Sequence, residues 1–89
     1  MVMVVATADS KAVMWREEAN ALAKEFKFPY FKTALDFVDK IGDLAEKVNH
    51  HPDIELGWGR VKISLTTHSE GKVTDNDRDL ADAIDKLKT

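Results

Sequence analysis

Ile54-Glu-Leu-Gly-Trp-Gly-Arg-Val-Lys-Ile-Ser-Leu-Thr-Thr-His68 is the stretch from which the rest of the chain can be ordered. Val61, Ile63 and Leu65 alternate with Lys62, Ser64 and Thr66, the period of a strand with one face buried and the other wet. The spacing predicts strand structure over residues 54–67. Gly57 and Gly59 flank Trp58 and predict a bend, bulge or turn just ahead of the alternating run. His68 closes the stretch in phase with its polar residues.

Helical periodicity stands on both sides of this strand. Over residues 29–48, Phe31, Ala34, Leu35, Val38, Ile41, Ala45 and Val48 recur at steps of three and four, while Lys32, Asp36, Asp39, Lys40, Asp43 and Lys47 fall on the opposite side. Pro29 suits a first helical turn, where its missing N–H costs nothing, and Gly42 slightly weakens the interior. Over residues 74–87, Leu80, Ala81, Ile84 and Leu87 form a second apolar stripe. Thr74 followed by Asp77 has the spacing of a capping box, with Asp in place of the usual Glu. Residues 12–28 are ambiguous. Trp15, Ala19, Leu22, Ala23 and Phe26 fit a helix, whereas Leu22, Lys24, Phe26 and Phe28 fit a strand with one polar exception. With no repeat, linker or low-complexity tract, residues 1–89 read as a single two-layer α+β domain, helices packed on an antiparallel sheet.

Composition narrows the function classes. The 89 residues are 44% hydrophobic and 33% charged, as in an ordinary globular domain, and the formal net charge is -3. Acids and lysines alternate, so the chain lacks the basic patch that phosphate contacts require, and direct nucleic-acid binding is not expected. There are no cysteines, hence neither disulfides nor thiolate metal sites. A chain this short buries a limited fraction of its surface, and self-association is the remaining source of extra burial. Residues 1–8 are apolar but short and lack a basic flank, which predicts neither a signal peptide nor a membrane span, with a cytoplasmic location as the default.

All three histidines lie between positions 50 and 68. Pro52 disfavours helical geometry at His51, so the long helix is expected to end near Val48 to His50 with the His50–His51 pair at its exit. Glu46 is four residues before His50 and shares its face if the last turn persists. Imidazoles exchange protons near neutral pH, and a dehydration needs an acid for the departing hydroxyl and a base for a neighbouring proton. Each residue also has a plainer reading. Single histidines are commonly surface residues, a histidine pair at a helix end gains from the helix dipole, Asp77 serves as a cap, Glu46 is one more charge on a wet face, and Trp58 and Phe31 belong to a core or an interface. Zinc on the histidines is a further alternative, with no firm fourth ligand in view.

Taken together, these residues resemble the pterin-4a-carbinolamine dehydratase family. The resemblance rests on Glu46-Lys-Val-Asn-His50-His51-Pro52-Asp53, then Trp58, then Val61-Lys-Ile63-Ser-Leu65-Thr-Thr67-His68, the loop Gly71-Lys-Val-Thr74, Asp77, Leu80-Ala81 and Ile84-Asp85. Phe26, Phe28, Phe31, Ala34 and Phe37 extend it upstream to about Trp15. It implies a two-layer sandwich in which a four-stranded antiparallel sheet carries helices on one face. Residues 12–28 then become two short strands with a turn near residues 18–21. It implies a lyase that dehydrates 4a-hydroxytetrahydrobiopterin to quinonoid dihydropterin after an aromatic amino-acid hydroxylase has used the pterin, with the pterin as substrate and no metal or organic cofactor. Carried over, His50, His51 and His68 are the catalytic histidines, His50 and His68 as acid and base and His51 orienting the ring. Glu46 and Asp77 are supporting, substrate-binding carboxylates. The resemblance implies a homodimer or homotetramer, located in the cytoplasm and also in the nucleus if the source is a eukaryote. It also brings a second reading, a non-catalytic binding module or a dimerisation cofactor of a homeodomain transcription factor. Two departures stand out. The stretch before Trp15 is short beside members with a full first helix, which would weaken oligomerisation, and Asn49 stands where some animal members have an acid.

Overall fold

The computed structural model describes residues 15–88. The readings made for residues 1–8, and for the segment ahead of Trp15, fall on residues outside that range. The elements are β1 (Arg16–Glu18), β2 (Ala21–Lys27), α1 (Phe31–Val48), β3 (Asp53–Gly57), β4 (Arg60–Leu65) and α2 (Asp75–Lys88). The four strands form one antiparallel sheet in the order β1-β2-β4-β3. The fold is the expected α+β sandwich. Among the described residues no helix is long and apolar enough to cross a membrane.

Residues 54–67 are a hairpin rather than one strand. β3 and β4 pair from Asp53↔Ser64 to Gly57↔Arg60, and Trp58-Gly59 makes the turn. The parity of the apolar residues records this fold-back. Ile54 and Leu56 are even-numbered, Val61, Ile63 and Leu65 odd-numbered, and both sets face the same core because the chain reverses between them. Gly59 is needed there. A Cβ at this position would stand 2.8 Å from the Phe28 carbonyl oxygen, and the Phe28 N–H donates to the Gly59 carbonyl at 2.8 Å. The β2–α1 loop is thereby fastened to the hairpin turn.

The ambiguous segment forms the two strands Arg16–Glu18 and Ala21–Lys27, with the turn at Ala19-Asn20, inside the expected window. Both residues have positive φ, 48° and 67°, the handedness that suits a two-residue hairpin loop. The polar exception, Lys24, points inward with Leu22 and Phe26. Its ammonium is neutralised by Asp85 of α2 at 2.6 Å and lies 4.7 Å from the centre of the Phe26 ring. Trp15 Nε1–H donates to the same Asp85 oxygen at 3.1 Å.

α1 begins at Phe31 behind Tyr30 as N-cap, two residues later than Pro29 suggested. Its buried stripe is Ala34, Phe37, Ile41 and Ala45. The expected face was rotated slightly: Phe37 belongs in it, while Phe31 and Val48 at the two ends are exposed. Against this stripe pack Val61, Ile63 and Leu65 of β4, Leu22 and Phe26 of β2, and Leu80, Ala81 and Ile84 of α2. Each fully buried aliphatic side chain of this set contributes about 1.5–3 kcal/mol. Trp58 is not part of the core, being 72% exposed.

Candidate functional site

The site is assembled where α1 ends, β4 ends and α2 begins. α1 stops because Asn49 takes the left-handed conformation, φ 55°. The His50 N–H then reaches back to the Ala45 carbonyl at 3.2 Å, the long bond of a Schellman cap. Asparagine tolerates this conformation better than most residues. The reversal sends the two histidines apart. His50 turns inward and His51 stays at the surface ahead of Pro52.

His50 Nε2 lies 2.5 Å from Oδ1 of Asp77, a carboxylate with no solvent exposure, and the imidazole itself is 18% exposed. Asp77 sits in the first turn of α2. Its other oxygen, Oδ2, accepts the Thr67 hydroxyl and the Thr74 backbone N–H, each at 2.8 Å. Thr67 and Thr74 are themselves 2.7 Å apart through their hydroxyls. Burial pushes the Asp77 carboxyl up. The hydrogen bonds from His50, the Thr74 N–H and Thr67, together with the charge of His50, outweigh it and hold the group below the usual carboxylate range. Asp77 thus makes the bond expected of a cap through Oδ2 and meets His50 through Oδ1.

His51 Nε2 meets Glu46 Oε2 at 2.5 Å, with both side chains largely in solvent. The expected sharing of a face by Glu46 and His50 does not occur. A helix face persists only while the helix does, and the left-handed residue passes Glu46 to the next histidine. His68 is exposed at the start of a turn closed by Thr67 and Lys72 and containing Gly71 at φ 68°. It joins neither pair, and its link to the site is its place in the chain directly after Thr67.

Of the predicted site residues, then, His50 is brought to Asp77 and His51 to Glu46, while His68 is left exposed in the turn after β4. Thr67 was missed as a participant. Its signal was a hydroxyl in the apolar phase of β4, after Val61, Ile63 and Leu65, where it is 9% exposed. His50 also lines a cleft of about 250 Å³ with Val48, Asn49, Asn76, Asp79, Leu80 and Ala83. Zinc finds no convergent donor set: no group of three His, Cys, Asp or Glu side chains among the described residues is placed to hold a metal ion.

Known proteins share this arrangement of sequence and fold. The family model of the pterin 4 alpha carbinolamine dehydratases matches residues 4–87. A protein of Prochlorococcus marinus, provisionally named pterin-4-alpha-carbinolamine dehydratase, is 48% identical over 73 residues, spanning 82% of this chain and 77% of its own. One of Sulfolobus acidocaldarius with the same provisional name is 45% identical over 74 residues, 83% of this chain and 81% of its own. Among solved structures, the transcriptional coactivator/pterin dehydratase of Brucella melitensis superposes with a TM-score of 0.80 at 30% identity, over 98% of this chain and 96% of that one. A pterin dehydratase-like RuBisCO assembly factor of the alpha-carboxysome gives 0.69 at 25% identity, over 83% and 86%. A family match across nearly the whole length, relatives close to half identical and a shared fold make this chain a member of the pterin-4a-carbinolamine dehydratase family.

Proposed function

We propose that this chain is an active dehydratase of 4a-hydroxytetrahydropterins. The observation that carries the reading is His50 held by a buried, ionised Asp77 at the edge of a cleft. In the reaction the C4a–O bond breaks as the hydroxyl takes a proton and leaves as water. N5 loses its proton, and the N5 electron pair forms the C4a=N5 double bond of the quinonoid product. No electrons are exchanged with a third party, so the chemistry needs one acid and one base and neither metal nor organic cofactor. His50 and His68 fill those two roles. His51, steadied by Glu46, orients the pterin ring, and Asp77 fixes the His50 imidazole. The physiological setting is recycling of tetrahydrobiopterin behind an aromatic amino-acid hydroxylase, in the cytoplasm.

The test is turnover of freshly generated 4a-hydroxytetrahydropterin, followed by absorbance in the presence of chelator. Intact protein is expected to accelerate the reaction, and His50→Ala to lose about 10²–10⁴-fold while keeping its circular dichroism. A folded wild-type protein with no acceleration, or a variant with full turnover, would overturn the reading. Activity lost to chelator and restored by zinc would replace it with a metal mechanism.

A second reading, a binding module, is favoured by Tyr30, Phe31 and Trp58, which are 65%, 45% and 72% exposed. The bond from Phe28 to Gly59 brings the loop carrying Tyr30 beside the turn carrying Trp58. The names of the two structural neighbours, a coactivator and an assembly factor, point the same way. These aromatics also support a homodimer or homotetramer. Sedimentation velocity is expected to show a species of two or four chains, weakened by Trp58→Ser, and a monomer at all concentrations would remove the assembly.

A further inference from the structure

We infer that Thr74 and Thr67 form a one-way chain of donors ending on Asp77, and that this carboxylate, accepting on both oxygens, fixes His50 as its Nε2–H tautomer, so that Nδ1 is the atom through which His50 exchanges a proton with substrate. The direction follows from counting hydrogens. The Thr74 backbone N–H can only donate, so Asp77 Oδ2 is an acceptor at 2.8 Å. An ionised carboxylate has no proton to give. The Thr67 hydroxyl, also 2.8 Å from Oδ2, must therefore spend its single proton on Asp77. With that proton committed, the 2.7 Å contact between the two threonine hydroxyls can be a hydrogen bond only if Thr74 donates and Thr67 accepts. On the other side of the carboxylate, Oδ1 is likewise an acceptor, and the ring nitrogen 2.5 Å away has to bring the hydrogen. That nitrogen is Nε2. The pocket is closed to water at its centre: Asp77 has no exposure and Thr67 9%, and no buried side-chain polar atom among the described residues lacks a partner. Among the described residues nothing else there supplies an alternative donor that would let the carboxylate, or the ring, reverse its role.

The consequence for catalysis rests on the dehydratase reading, and the tautomer itself does not. Nε2 is saturated by a buried group, so it cannot meet a pterin. Nδ1 is left to take the N5 proton or, when the ring is charged, to protonate the departing hydroxyl. Thr67 and Thr74 act through Asp77 and are positioning residues. Thr67 completes the acceptor geometry of Oδ2, and Thr74 keeps the Thr67 hydroxyl from rotating away.

The experiment is nitrogen-15 NMR of the histidine rings in the intact chain, followed with rising pH until the ring signals stop moving, with His50→Gln to assign the His50 signals. A protonated Nε2 and a bare Nδ1 are expected for His50, and a bare Nε2 with a protonated Nδ1 would overturn the chain of donors. Thr67→Val, which keeps shape but not the hydroxyl, is expected to mix the two tautomers. It should lower kcat about tenfold, as loss of one hydrogen bond to a charged group does, with KM little changed. Thr67→Ser is expected to restore both. A Thr67→Val protein with the wild-type tautomer and wild-type kcat would remove Thr67 from the mechanism. Should Thr67→Val fail to fold, the tautomer of the wild-type protein and the kcat of Thr74→Val still decide. If the wild-type protein shows the Nε2–H ring but no turnover, the dehydratase reading falls and the donor chain stands.

Discussion

Asp77 carries two obligations on one carboxyl group, and the pH dependence of stability should report them. Its carboxyl is held below the ordinary range by donors that outweigh its burial. Above pH about 4 an aspartate of the unfolded chain is already ionised, so the native state enjoys the full benefit of the shift there. Below that, the unfolded chain binds the proton first, and stability drains away until the folded group also protonates. The wild-type urea midpoint is therefore expected to fall more steeply than that of Asp77→Asn between pH about 5 and 2. Parallel curves would take Asp77 out of the acid transition. At this scale much was legible. The clustering of the three histidines and the capping spacing of Thr74 and Asp77 can be read from the residues alone, while Glu46 and Asp77 enter the site only through the family resemblance. The partnering of Glu46 with His51 was not legible, because it depends on one left-handed residue, Asn49, that no periodicity announces.

Two glycines separate what an element needs from what it tolerates. Gly42 lies in the exposed middle of α1 with nothing within 4 Å of a would-be Cβ. Gly42→Ala is expected to stabilise the protein by about 0.5–1 kcal/mol, through helix propensity alone. Gly59 has the Phe28 carbonyl oxygen 2.8 Å from the same imagined atom. Backbone cannot step aside as a side chain does, so Gly59→Ala is expected to cost about 1–3 kcal/mol. Thermal unfolding of both variants checks the pair, and a neutral Gly59→Ala would mean that the β2–α1 loop yields freely. The elements themselves were largely legible from period and punctuation. The long helix, the strand alternation in β4 and the final helix follow from residues such as Ile41, Ile63 and Ile84, all fully buried. The hairpin was half legible: Gly57 and Gly59 marked a turn, but its pairing depends on the change of parity between Leu56 and Val61.

Across the whole molecule, the two layers are joined by apolar contact and by charged ties, of which Lys24–Asp85 is shorter and less exposed than Arg78–Glu17. Lys24 rises from the sheet, 10% exposed, to Asp85 of α2, 39% exposed. Asp85→Ala would leave a mostly buried ammonium and the Trp15 N–H without their acceptor. It is expected to cost about 1–2 kcal/mol, a figure already discounted for the solvent that reaches Asp85. Lys24→Met removes the charge together with its need for a partner, and is expected to stay within about 1 kcal/mol of wild type. Denaturant titration of both proteins checks this, and equal losses would show that the tie, rather than the stranded charge, sets the cost. The strand order β1-β2-β4-β3 could not be read locally. It joins Leu22 to Leu65 across a helix and a hairpin, and residues 12–28 were undecided between helix and strand on their own pattern. Lys24 is the reason for that indecision, since its partner is on an element at the other end of the chain.

The divided duty of Asp77 has a bearing on how members of this family are sorted by activity. A lineage that gave up dehydration and kept the scaffold for assembly would still need a group to start α2 and to receive the Thr67 hydroxyl, so natural selection on folding would go on preserving the aspartate. His50, whose one side-chain bond among the described residues is to that aspartate, is under no such protection. On the proposed dehydratase reading, presence of the histidine is therefore the more informative marker of activity, and presence of the aspartate is what folding alone would keep.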